Sequence, residues 1–160
     1  MRNMKKKICI VLAVMIITLS ACSVSDPRRR LSHQLGIDLM KDDITLLREV
    51  DTTGWFGDGY ILSELDCKDS AVLNEIINNE NWTVLPLSEN LRHFFYEGYF
   101  SSDELLIPVI EEGYYYFYDR HDQAKDPYDD SDIYDRPSLN FTFAVYDTKE
   151  ERLYVFEFNT

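Results

Sequence analysis

Few of the residues in this chain that can do chemistry are spaced for it. His33, His93 and His121 stand far apart, and no His-Glu-x-x-His, Gly-x-Ser-x-Gly or Cys-x-x-Cys is present, so no motif predicts a hydrolytic metal or an activated nucleophile. Carboxylates are dense in one place: Asp122, Asp126, Asp129, Asp130, Asp132 and Asp135 all fall within 119–135. Oxygen donors at that density suit Ca²⁺, which takes about six to eight of them, and Asp126, Asp130 and Asp132 are the candidate ligands. Asp130-Ser131-Asp132 lacks the turn glycine and the terminal bidentate Glu of an EF-hand, which favours a self-repelling loop between two strands and no resident cofactor. Paired carboxylates also cleave glycosides. A cell-envelope hydrolase using acidic residues is therefore the alternative to the non-enzymatic reading expected here.

The second constellation is the loop 51–59, Asp51-Thr52-Thr53-Gly54-Trp55-Phe56-Gly57-Asp58-Gly59. Its glycines permit positive φ and its aspartates can accept from local amides. Asp51 and Asp58 oppose a phosphate, and the Lys-Ser/Thr of a P-loop is missing. A structured hairpin turn is expected, with Asp51, Thr52, Gly54, Trp55, Phe56, Asp58 and Gly59 as a candidate interaction loop. Trp55 and Phe56 either form an exposed contact tip or fold back as a lid on the core.

At the start of the chain, Arg2, Lys5, Lys6 and Lys7 precede an apolar run over 8–19. That run is too short to cross a bilayer, which takes about 20 apolar residues, and it reads as a cleaved secretory signal. Leu19-Ser20-Ala21-Cys22 resembles the lipobox of bacterial lipoproteins. The resemblance implies that Cys22 becomes a lipidated N-terminus on the extracytoplasmic face of the cell membrane, where two acyl chains give stable attachment. The expected division is a signal peptide over 1–21, a tether over 22–30 and one domain over 31–160. Cys9 then leaves with the signal and Cys22 carries lipid, so Cys67 has no partner for a disulfide. With Asp66 and Asp69 beside it and only Lys68 opposing them, Cys67 reads as an inert structural thiol.

Charge narrows the partners. The chain carries a formal net charge of −13, and from residue 31 onward 9 basic residues face 28 acidic ones. Such a field disfavours nucleic acid and favours a cationic protein or peptide. Arg28, Arg29 and Arg30 give the tether the opposite sign, suited to an anionic bilayer.

Periodicity supplies the elements that must hold these groups. Asp26-Pro27, then Leu31 and Leu35, then Gly36 predict a short capped helix. Strands are expected over 44–51, 60–66, 114–118, 139–146 and 153–158, the last two joined by the turn 147–151. Between the second and third lie a helix capped by Asp69, with Val72, Leu73, Ile76 and Ile77 as its apolar stripe, and a shorter one from Ser88 with Leu91, Phe94 and Phe95. The segment 82–86 reads as the link between these helices. Tyr114, Tyr116 and Tyr118 share one strand face, as do Tyr154, Phe156 and Phe158, which predicts cross-strand core pairs in preference to a sugar-gripping ladder. The expected class is α+β: an antiparallel sheet of about five strands with a helix packed on one face.

The loop 51–59, taken with Trp82 and Leu85-Pro86-Leu87, resembles a group of small bacterial lipoproteins and related secreted proteins that share an Asp-Thr-x-Gly-x-x-Gly-Asp-Gly loop. The likeness covers roughly 35–91. Those proteins often carry His in place of Thr53 and Gly in place of Trp55, and this chain departs from them at both. The resemblance implies no activity; it implies that the loop and the segment 82–87 belong to one structural unit.

Overall fold

A computed structural model describes residues 26–68, 71–98, 107–121 and 124–160. The signal, the lipobox with Cys22, and Asp69 and Asp122 lie outside the described residues. Strands β1 (Thr45–Asp51), β2 (Gly59–Asp66), β3 (Trp82–Val84), β4 (Gly113–Asp119), β5 (Phe141–Asp147) and β6 (Arg152–Asn159) form one sheet in the order β1-β2-β6-β5-β4-β3. Every neighbouring pair is antiparallel. The helices are short: α1 (Pro27–Leu35), α2 (Val72–Ile77) and α3 (Glu89–Arg92), the last running into a π-helical turn, His93–Glu97.

The sheet therefore has six strands where five were expected. The extra one, β3, lies in the segment that read as a link, and its three residues pair with Tyr114, Tyr115 and Tyr116. α1 is capped as predicted: the Asp26 carboxylate accepts from Arg28 N at 3.0 Å, and Gly36 closes the helix at φ 66°. This helix takes in residues 27–30, which were expected in the tether. Ser88 caps α3 by accepting from Leu91 N. α2 spans the expected stripe but starts after Ala71 with no side-chain cap, where Asp69 was expected to cap it; Val72 and Ile76 are buried but Ile77 is 53% exposed.

Burial explains why β5 and β6 are almost continuously apolar, as strands covered on both faces are. One buried cluster gathers Phe141, Phe143, Val145, Phe156 and Phe158 with Leu91, Phe94 and Phe95. The other gathers Ala144, Tyr146, Leu153, Val155 and Tyr116 with Leu31 and Leu35 of α1 and Val72 and Ile76 of α2. Since side chains alternate along a strand, these clusters occupy opposite faces of the sheet. Tyr114 and Tyr118 pack against the second and Tyr154 belongs to the first, so the aromatic ladders are core. Trp82 ties β3 to the second face by donating Nε1–H to the Leu35 carbonyl at 3.3 Å.

β1 and β3 are the edges. β1 alternates exposed and half-buried residues and carries an irregularity between Leu46 and Arg48. The extra residue, Leu47, faces outward, so Leu46 meets the second cluster while Val50 meets the first.

Candidate functional site

The loop 51–59 joins β1 to β2 as a hairpin built from local bonds. Thr52 N donates to Tyr60 O at 2.9 Å and Gly54 N to Asp58 O at 2.9 Å. Asp51 Oδ1 accepts from Thr53 N at 2.8 Å and from Thr53 Oγ1 at 2.6 Å. Those two bonds hold the Asp51 carboxyl below the usual carboxylate range. Gly59 has φ 139°, and a Cβ there would lie 2.7 Å from Thr52 O, so a side chain is excluded where the two strands leave the loop.

This frame pushes the aromatics outward. Trp55 is 97% exposed and Phe56 91%. Of the two expected placements, the exposed one is adopted, and neither ring folds back as a lid. Asp58, also exposed, and the ionised Asp51 flank the tip with negative charge. The segment 82–87 shares the sheet with this loop but sits at its far edge, in and beyond β3, with Leu85 N donating to Gly113 O at 3.0 Å.

The candidate cation ligands separate. Asp126 and Asp130 line a cavity of about 500 Å³ together with Glu80, Asp129, Tyr115 and Tyr128, and Asp132 is not among its walls. Asp126 Oδ1 accepts from Tyr128 N at 2.9 Å, and Asp130 is bonded by Ser88 Oγ. Burial pushes the Asp130 carboxyl up, Ser88 pulls it down and Asp129 adds to the rise. Among the described residues, no group of three or more His, Cys, Asp or Glu is arranged to hold a metal ion.

Cys67 is fully buried. Burial, followed by the charges of Asp66, Asp43 and Glu151, raises its thiol to about 12, which keeps it protonated and unreactive at neutral pH.

Sequence reasoning missed a polar patch on the second face. Glu157 is only 4% exposed, and its carboxylate is paired with Arg30 and accepts from Gln34 Nε2 at 2.6 Å. Thr142, opposite it on β5, is 2% exposed. The available signal was Glu157 itself, a carboxylate inside the otherwise apolar run 153–158.

No protein-family model, curated protein or solved structure matches this chain. Among the described residues no helix is long and apolar enough to cross a membrane.

Proposed function

We propose that this chain is a membrane-anchored extracytoplasmic lipoprotein, held by lipid on Cys22, whose folded part is a non-enzymatic binding module for a cationic protein or peptide. The observation that carries the reading is the Trp55–Phe56 tip. Two large aromatic side chains stand almost wholly in solvent at 97% and 91% exposure, on a turn whose own hydrogen bonds fix them there. Large rings held outward with little freedom to lose are the residues that anchor interfaces. Their faces attract ammonium and guanidinium groups, and Asp51 and Asp58 beside them add the same preference. The acidic body extends it over a longer range, favouring fast, salt-sensitive encounter with a basic partner.

The test is capture from solution by the full chain and by its Trp55→Ser/Phe56→Ser variant, at low and at high salt. Capture of a basic partner should weaken as salt rises and disappear in the variant. Stability should stay within about 0.5 kcal/mol, because an exposed tip contributes little to the fold. Undiminished capture by the variant would refute the reading.

A further inference from the structure

The second face leaves hydrogen-bonding groups without partners where α1 crosses β4, β5 and β6. Among the described residues, nothing hydrogen-bonds Thr142 Oγ1 or the buried Gln34 Oε1. The orientation of Gln34 is chemically determined. The Glu157 carboxylate can only accept, so the amide must turn Nε2 toward it, leaving Oε1 as an acceptor that needs a donor. Buried atoms in this condition are rare because they are costly, and a bound molecule that pairs with them relieves the cost.

Both residues line a cavity of about 290 Å³, whose other walls include Tyr118, Tyr128, Arg120 and His33. Taking roughly 30 Å³ as the share of one water, it has room for a molecule of monosaccharide size. Its charge runs against that of the body: among the described residues Arg120 is on the wall and no carboxylate is, and Arg30 lies near enough for its charge to act on Arg120. Arg120 is held in place through Nη2, which donates to Phe141 O at 2.9 Å and to Phe158 O and Asn159 Oδ1 at 3.0 Å.

The geometry points to a binding site for a small hydroxy acid of the hexuronate class, with its carboxylate on Arg120 and its hydroxyls on Gln34 Oε1 and Thr142 Oγ1. Each part of the ligand answers one wall. A planar carboxylate suits a guanidinium already oriented by other bonds. A hydroxyl both donates and accepts, so it satisfies a carbonyl oxygen and a threonine hydroxyl alike. Tyr118 and Tyr128 enclose the ring, and Tyr116 is already engaged, donating its hydroxyl to Gln34 O at 2.9 Å. This site does not depend on the aromatic tip or on its partner.

Calorimetric titration of the full chain with glucuronate tests it, beside glucose, which lacks the carboxylate, and cyclohexanecarboxylate, which lacks the hydroxyls. The decisive variant is Thr142→Val, which keeps the shape and removes a hydroxyl that no described protein group uses, so its melting temperature should stay level or rise. Glucuronate should give saturable heat, about tenfold weaker in Thr142→Val, and both control compounds should bind more weakly than glucuronate to the unaltered chain. Absence of saturable heat with glucuronate, equal affinity in the variant, or a fall in the variant's melting temperature would each overturn the assignment.

Discussion

The two faces of the sheet are built to different standards of closure. On one, Phe95 stacks on Phe143 with centroids 4.1 Å apart and meets Phe156 edge-on at 5.3 Å, while Phe94 meets Phe141 at 5.4 Å. That face is closed mainly by rings, with Leu62, Leu91, Ile133 and Val145 among them. On the other, aliphatic residues of α1 and α2 share the sheet with tyrosines, a buried Glu157 and a Thr142 whose hydroxyl has no partner among the described residues. The cavity of about 500 Å³ at the first face is walled by Leu91, Phe117 and Tyr115 together with the carboxylates Asp126, Asp129 and Asp130, which bond within their own loop or to Ser88. The second face instead buries polar groups incompletely, and the cavity beside Gln34 and Thr142 lies there.

The comparison breaks most severely at the phenylalanine face. Phe95→Ala should cost about 3–5 kcal/mol, read as a lower urea midpoint with unchanged slope, since it removes a ring packed on three sides. On the polar face the loss should come from charge. Arg30→Met leaves the Glu157 carboxylate with Gln34 as its remaining partner, and about 2 kcal/mol should be lost. In Arg30→Met/Glu157→Gln most of that loss should return, because no buried charge is stranded. A loss as large in the double variant would mean that shape, and not charge, matters there.

Alkaline pH sharpens the contrast further, because Cys67, Tyr116 and Tyr146 all belong to the second cluster. Burial raises all three, the thiol from 9.0 to about 12 and the phenols above their ordinary value. A group whose folded value is raised stabilises fully below its unfolded value and loses that contribution as pH climbs through the folded one. Stability should therefore decline between pH 9 and 12. Cys67→Ala should flatten the early part of that decline, as urea midpoints across the range would show.

How much of this was legible in the sequence depended on how local the cause was. Asp26-Pro27 with Gly36, and Ser88 ahead of Leu91, carry their capping chemistry within a few residues, and both helices were readable. The five longer strands announced themselves by alternation or aromatic runs. β3 did not, because three residues have no period; it exists through pairing with Tyr114–Tyr116, some thirty residues later. Ile77 matched the apolar stripe, but α2 ends there and leaves it outside. The loop 51–59 was legible as a turn, whereas the outward placement of Trp55 and Phe56 depends on how the turn's hydrogen bonds close. The cavity of the second face was hidden altogether. Gln34, Arg120, Thr142 and Glu157 come from α1, the end of β4, β5 and β6, and only the strand order brings them together.

The sheet's two margins bear on how such molecules behave when crowded together. A sister molecule trying to extend the ribbon at β1 meets a kink at Leu47 and the charges of Arg48 and Glu49; at β3 it finds only three residues of backbone. Neither margin provides the long, flat run that templated polymerisation requires.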